Sequence, residues 1–186
     1  MVLVLAFASL SVAKPAKAKT SPKPAKKNAE VKDARDGQVY RLVKIAGLTW
    51  MGDNLNYNAE GSFCLDDDEN NCMAYGRLYP WDVAQKACPA GFRVPTHADF
   101  EKLWMAAGAD FNAGYLLKTN YGWKGDTNGN DTLKFSAMPA GNRFDDGTYG
   151  NMAKFAFFYW GLGIGPNPQS PIPNPQSPIP NPQSPN

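Results

Sequence analysis

The C-terminal segment of this chain is too rich in proline to join a regular helix or sheet. Nine of its sixteen prolines lie in residues 166–186, where the heptapeptide Asn-Pro-Gln-Ser-Pro-Ile-Pro repeats from Asn167. Proline lacks a backbone N–H and clashes with the preceding helical turn, so this repeat forms neither a helix nor a central strand. We predict that residues 160–186 are a disordered low-complexity tail and that the folded domain ends near Tyr159.

The tail also resembles translated repeat DNA. The heptapeptide can be encoded by the seven-base word AATCCCC read through all three frames, and residues 160–165 by the reverse complement of that word. The alternative is a selected proline-rich stalk or linker. Under the repeat-DNA hypothesis, we expect the domain to be truncated, with its natural C-terminus lost near Tyr159.

The N-terminal residues are predicted to be an export signal. Residues 1–13 are apolar and too few to span a bilayer as a helix, and the small residues near Ala13 and Ala18 suit a cleavage site. We predict a secretory signal peptide over residues 1–18; the alternative is a buried core segment. A signal peptide would make the protein secreted or attached to the cell surface, with no membrane span after cleavage.

Residues 19–36 are predicted to be a basic linker rich in Lys, Ala and Pro. Residues 14–36 carry eight basic and three acidic side chains, whereas residues 37–160 carry 11 basic and 14 acidic ones. The basic run has no interleaved aromatic residues, and its prolines break any helix. This composition is typical of a solvated linker, so no nucleic-acid partner is expected.

Residues 37–159 have the length of one domain with a single core. Their short apolar runs, rich in aromatic residues, Gly and Asn, predict a loop-rich extracellular α+β fold. Residues 38–45 alternate in polarity and predict a strand, with residues 48–51 as its hairpin partner. Residues 135–138 and 155–159 have the composition of short buried strands.

Two helices are predicted in the middle of this domain. Residues 81–88 have helical spacing, and Thr96 begins a second helix as an N-cap with Asp99 three residues later. The apolar face of the second helix is expected to contain four side chains at helical spacing: Phe100, Leu103, Trp104 and Ala107.

The three cysteines predict one disulfide and one unpaired thiol. Cys64 and Cys72 enclose an acidic segment, and in an exported chain we expect them to pair. Cys88 remains as a free thiol or an intermolecular bridge. A catalytic cysteine needs an activating base, and the single histidine, His97, lies in the capping turn. We therefore predict no catalytic residues and no enzyme activity.

One Asx-rich loop has the side chains of a calcium site without the full pattern. Its side-chain oxygens come from Asp126, Asn128, Asn130 and Asp131. An EF-hand has Gly at its sixth position and Glu at its twelfth, where this loop has Asp131 and Ala137. Asx-rich turns also form without metal. We expect no cofactor, with calcium at this loop as the alternative.

Aromatic side chains give the candidate ligand-binding residues. Trp50, Trp81 and Trp104 lie in predicted helices and strands and are expected in the core. Tyr121 and Trp123 lie in a loop rich in Gly and Asn, where exposed rings can stack on a sugar.

Several segments together resemble one known family. Residues 33–40 with Thr49-Trp-Met51 resemble its opening, Cys72-Met-Ala-Tyr-Gly-Arg-Leu-Tyr-Pro-Trp81 with residues 89–95 its centre, and Phe135-Ser-Ala-Met-Pro-Ala-Gly141 its later part. The family is the Fibrobacter succinogenes major paralogous domain, and the resemblance covers about residues 33–159.

The resemblance implies a C-type-lectin-like fold, in the superfamily that includes the formylglycine-generating enzymes. Such a fold has short twisted strands, two helices and long loops. Family members usually continue to a final cysteine, so the resemblance also implies that this fold is incomplete at its C-terminus and that Cys88 lacks its partner. The cysteines of the formylglycine-generating enzymes are not matched, so no activity is carried over.

The function implied by the resemblance is recognition or adhesion outside the cell. The expected partner is an extracellular glycan or a surface protein. One alternative is a structural or interaction module with no small ligand, and another is an enzyme related to the formylglycine-generating group.

Overall fold

The computed structural model of the protein describes residues 8–9 and 29–161. The predicted tail beyond Gly161, the predicted linker up to residue 28 and all of the predicted signal peptide except Ala8 and Ser9 lie outside the described residues. The described part contains two small antiparallel sheets and four α-helices. The predicted α+β class therefore holds at this level.

The main sheet has four strands in the order β1-β4-β3-β2. They are β1 (Ala8–Ser9), β2 (Glu30–Lys32), β3 (Val39–Ile45) and β4 (Leu48–Met51). The predicted hairpin of β3 and β4 is confirmed, with Val43 opposite Trp50. Its two-residue turn, Ala46-Gly47, has positive φ at both positions, as the twist of a two-residue hairpin requires. Strand β1 pairs with the outer edge of β4, with Ala8 opposite Trp50.

The second sheet pairs β5 (Ala140–Arg143) with β6 (Tyr149–Met152). The strands predicted at residues 135–138 and 155–159 are wrong, because the structure has no strand in either segment. Phe135 and Phe158 are instead held by ring contacts, with their centroids 5.6 Å apart. Their apolar character therefore reflects burial against other aromatic rings rather than a place in a sheet.

The helices are α1 (Glu69–Tyr75), α2 (Trp81–Ala87), α3 (His97–Ala106) and α4 (Ala113–Leu117), with a 3-10 turn at Leu65–Asp67. Helices α2 and α3 confirm the two sequence predictions, and α1 and α4 are additional. The predicted capping box is present: Thr96 Oγ1 accepts from the Asp99 N–H, and Asp99 Oδ2 accepts from the Thr96 N–H. Burial alone would raise the pKa of Asp99, but hydrogen bonds from Arg93 and Thr96 hold it below its usual value.

The main sheet separates two aromatic-rich clusters. Trp50 lies on one face with Phe100 and Phe135, while Tyr40 and Met51 lie on the other. This arrangement follows from the two-residue period of a strand, which points adjacent residues to opposite faces. Burial on both faces explains why β4 has almost no polar side chain.

The predicted core position of Trp104 is wrong. Its side chain is 49% exposed, whereas Leu103 in the same helix and Ala107 at its C-cap are buried. The core-facing stripe of α3 is narrower than the sequence spacing suggested, and Trp104 lies on its solvent-facing margin. Trp50 is fully buried, as expected, and Trp81 is half-buried edge-on against Tyr159.

The folded part extends beyond both predicted boundaries of the domain. In the predicted linker, Asp33 is buried and binds the Arg35 guanidinium, which also donates to the Ala87 carbonyl. In the predicted tail, Gly161 donates to the Pro95 carbonyl, and its own carbonyl accepts from His97. Residues 29–36 were predicted to be linker because lysines surround them. Residues 160 and 161 were predicted to be tail because the proline repeat follows them, and the sequence does not indicate their contacts with the domain.

None of the helices in the described ranges is long and apolar enough to cross a membrane.

Candidate functional site

The predicted pair Cys64 and Cys72 lies at disulfide distance in the structure. The bond fixes α1 to the segment before it, and both cysteines are buried. Glu69 lies close enough to make a three-residue group with the two sulfur atoms. Because those sulfurs are bonded to each other, they are not thiolates and the group is not a metal site. Two acidic residues between the cysteines have local structural roles: Asp68 caps α1, and Glu69 pairs with Arg77.

Cys88 is a free thiol at the end of α2. Burial raises its pKa to about 12, and its sulfur contacts the Ala84 carbonyl at 3.9 Å. The nucleophile in cysteine chemistry is the thiolate, which this environment disfavours at neutral pH. The single histidine, His97, is exposed and pairs with Glu101 across one turn of α3. Cys88 and His97 therefore do not form a pair of a nucleophile and its activating base.

The loop that carries Tyr121 and Trp123, called the Tyr121 loop below, is held at several points along its backbone. The Gly129 N–H donates to the Thr119 carbonyl, and the Asn130 N–H donates to the Tyr115 carbonyl, both at 2.8 Å. A Cβ at Gly129 would lie 2.2 Å from the Lys118 carbonyl oxygen, so only glycine fits there. The loop is therefore a defined surface even though it contains no helix or strand.

The two candidate stacking residues differ in exposure. Tyr121 is 59% exposed. Trp123 is half-buried, its indole N–H donates to Thr119 Oγ1 at 3.0 Å, and the Lys118 ammonium lies 4.5 Å from its ring centroid. The predicted exposure thus holds fully for Tyr121 and in part for Trp123. Tyr121 offers the free ring, and Trp123 helps to shape the loop beneath it.

Three of the four candidate calcium ligands have structural roles in their own loop. Asn128 Oδ1 accepts from the Trp123 N–H, and Asn130 Oδ1 accepts from the Thr132 N–H and hydroxyl. The Asp131 carboxylate accepts from the N–H and hydroxyl of Ser136. Asp126 is exposed. The oxygens bind separate groups around the loop, as in metal-free Asx turns.

Calcium is therefore expected to have little effect on stability. Millimolar Ca²⁺ should leave the melting temperature unchanged, because a ligand stabilises a fold only when its concentration approaches its Kd. Thermal unfolding with Ca²⁺ and with EDTA measures this, with Asp126→Ala as the matched variant. A rise of several degrees with Ca²⁺, absent in Asp126→Ala, would contradict the expectation.

A polar cavity was missed by the sequence analysis. Its volume is about 210 Å³, and it lies between the start of β3, the segment after β4 and the last turns of α1. Its polar lining residues include Tyr40, Asp53 and Asn56. The polar, irregular character of Asp53 to Gly61 was the only signal in the sequence. The rest of the lining comes from distant segments.

A protein-family model, the Fibrobacter succinogenes major domain, matches residues 43–163. The match covers more than half of the chain. This chain belongs to that family. Searches of curated proteins and of solved structures found no significant match. The matched range of the Fibrobacter succinogenes major domain contains the disulfide, the Tyr121 loop and most of the cavity lining.

Proposed function

We propose that the protein is an exported, non-enzymatic recognition domain that binds a glycan or a surface partner through the Tyr121 loop. The observation that carries the proposal is a tyrosine ring, 59% exposed, on a loop whose backbone is fixed by hydrogen bonds. An exposed aromatic ring presents a flat apolar face with a polar hydroxyl at its edge. A hydroxylated ring ligand has complementary features.

The fixed geometry of the loop favours binding. Hydrogen bonds from Gly129, Asn130 and Lys124 tie it to the body of the domain, and the Lys118 ammonium donates to the Thr127 carbonyl. A loop that is already ordered loses less conformational entropy when a ligand binds. The Lys118 ammonium over Trp123 also holds that indole in place beside Tyr121.

Several features support recognition outside the cell rather than catalysis. The raised pKa of Cys88, and the exposed position of His97 with its Nδ1 3.6 Å from Glu101, argue against the enzyme alternative. A disulfide persists mainly in oxidising compartments, which supports export. Short strands with long, anchored loops are compatible with the C-type-lectin-like fold that the family resemblance implies.

Tyr121→Ala is expected to weaken glycan binding about tenfold. A tenfold change in Kd corresponds to about 1.4 kcal/mol, which is the size expected for one lost aromatic contact. The ligand is first selected on a glycan array with the full chain and is then titrated by tryptophan fluorescence, since Trp123 lies in the same loop.

Tyr115→Ala is the matched control for this experiment. Tyr115 is also about half exposed, at 51%, but it lies on α4 outside the loop. The Tyr115→Ala variant should bind the selected glycan with the same Kd as the unmodified chain. Equal loss in the two variants, or an array with no glycan retained, would refute the loop as a glycan-binding surface.

A second candidate is an interaction module with no small ligand. The surface near α3 supports it, because Met105 is 64% exposed and Phe111 is 95% exposed. An apolar groove of about 500 Å³ lies between Ala46 and the side of α3 that carries Ala98 and Met105. Exposed apolar patches of this kind mark protein contacts. An empty glycan array together with self-association that Phe111→Ser abolishes would favour this function.

A further inference from the structure

The face of α3 that borders the apolar groove is exposed along the length of the helix. Six residues line the groove: Ala46, Ala98, Glu101, Lys102, Met105 and Ala106. All six are exposed, and Met105 is 64% exposed. Apolar surfaces that are exposed and bordered by charged residues mark places where another molecule packs. The order of residues on this face indicates which kind of molecule fits it.

Ala98 and Met105 form an apolar centre line on this face. They are seven residues apart, which is about two turns of helix, so they lie on the same side of α3. At about 100° per residue, Glu101 lies about 50° to one side of that line and Lys102 about 50° to the other. The face therefore has an apolar centre between an acidic flank and a basic flank.

The two charged side chains of this face are available to a partner. Lys102 forms no ion pair with any residue in the described ranges. The Glu101 side chain is 62% exposed, and its Oε1 lies 3.6 Å from His97 Nδ1, a contact that is an ion pair only when the imidazole is protonated. Both charges can therefore pair with a molecule that packs on α3.

A second copy of the chain supplies the matching surface. When two α3 helices pack in parallel about a two-fold axis along the helices, the acidic flank of each copy meets the basic flank of the other. Glu101 of each copy then lies opposite Lys102 of the other, and Ala98 and Met105 meet their own counterparts. An antiparallel pair would put Glu101 against Glu101 and Lys102 against Lys102, which like-charge repulsion disfavours.

Trp104 is also covered in the parallel arrangement. Its side chain is 49% exposed and lies on the Glu101 flank, whereas Ala106 lies on the Lys102 flank beside the groove. Because each flank meets the opposite flank of the other copy, the indole of one copy reaches the Ala106 side of the groove on the other. A tryptophan that enters an apolar groove is a common anchor of a protein interface.

We propose that two copies of this chain associate through parallel α3 helices, with Glu101 of each copy paired to Lys102 of the other. The proposal rests on the second candidate function, the interaction module, and assigns its self-association to one face; it does not depend on glycan binding at the Tyr121 loop. A contact of one ten-residue helix and one turn is small, so the association is weak and reversible. At the low protein concentrations of unfolding experiments, the chain is then a monomer.

A charge exchange with its own rescue tests the pairing in the full chain. Sedimentation velocity over a range of protein concentrations should show a monomer–dimer equilibrium. Glu101→Lys should raise the Kd of the dimer about tenfold or more, because lysines then face each other at both pairs. Adding Lys102→Glu to Glu101→Lys puts opposite charges back across the axis and should restore the original Kd. These variants change only exposed side chains, so they should fold as the unmodified chain does.

Two further variants test the apolar centre line, each with a matched control. Met105→Ser should raise the Kd of the dimer, whereas Met73→Ser, at a 73% exposed position on α1, should not. Ala98→Cys should give a disulfide-linked dimer on mild oxidation, because the two Ala98 positions face each other across the axis. Ala29→Cys, also at an exposed position but outside α3, should stay unlinked in the same reaction, with Cys88 present in both variants.

Three results would overturn the proposal. A chain that is monomeric at every concentration, as it would be if its own segment after Gly161 covered α3, removes the self-association together with the α3 contact. A dimer that Glu101→Lys and Met105→Ser leave intact, but that Phe111→Ser abolishes, places the contact elsewhere and leaves the second candidate function standing. A dimer in which Ala98→Cys does not cross-link does not have the parallel arrangement.

Discussion

Trp50→Ala is expected to lower the free energy of unfolding by about 3–5 kcal/mol, the usual loss for a large aromatic side chain in a core. Trp50 is fully buried, and the ring centroids of Phe100 and Phe135 both lie 5.5 Å from its own. Alanine would leave a cavity between β4 and α3 that the short strands cannot close. Since domains are stable by about 5–15 kcal/mol in total, the variant should lie close to unfolding at room temperature.

Trp104→Ala provides the matched control, with the same atoms removed. Its ring is 49% exposed, so the free energy of unfolding should fall by under about 1 kcal/mol. Urea denaturation followed by circular dichroism measures both variants without relying on the tryptophans that are changed. Similar losses in the two variants would contradict the assignment of Trp50 as the centre of this core.

The contrast between these two tryptophans illustrates what the sequence could predict. Trp50 lies in a short strand that directly follows a two-residue turn, so its partners and its face are set by local pairing. Trp104 lies at helical spacing from Phe100, and that spacing alone cannot tell how wide a stripe the sheet covers. The width depends on where α3 lies over β4, which is a tertiary property.

Local signals predicted the helices and hairpin best. The Thr96 capping box, the Pro80 that precedes α2 and the Ala46-Gly47 turn each act within a few residues of chain. Strands β5 and β6 gave no such signal, because they contain Gly, Asn and Ala rather than β-branched residues. Their close approach explains the glycines: a Cβ at Gly141 would lie 2.4 Å from the Gly150 carbonyl oxygen.

The candidate sites also differ in whether they depend on local sequence or on tertiary structure. The Cys64–Cys72 pair and the exposure of Tyr121 could be predicted, since each depends on spacing or on the composition of one loop. The cavity could not, because Tyr40, Asn56 and Met138 come from three separated parts of the chain. An unpaired amide is also invisible in a sequence: Asn56 Oδ1 is buried without a partner among the described residues, but Asn56 is one of many asparagines until its neighbours are known.

Removing the disulfide is expected to lower the free energy of unfolding by roughly 2–3 kcal/mol, through Cys64→Ala with Cys72→Ala. The two cysteines are eight residues apart, and closing a loop of this length restricts the unfolded chain by about that amount. The effect should be largest around α1, where Cys72 lies in the middle of a seven-residue helix. A helix this short depends on its tertiary contacts for stability.

Cys88→Ala is the matched control, because Cys88 is free and forms no disulfide in the structure. It should lose less than the double variant, and the unmodified chain under reducing conditions should lose about as much as the double variant. In the double variant, the backbone amide hydrogens of Met73 and Tyr75, which line the cavity on the α1 side, should also exchange faster. If the double variant unfolds at the same urea concentration as the oxidised chain, the disulfide does not stabilise this region, and α1 must be held by the contacts of Arg77 with Glu69 and Ser62 instead.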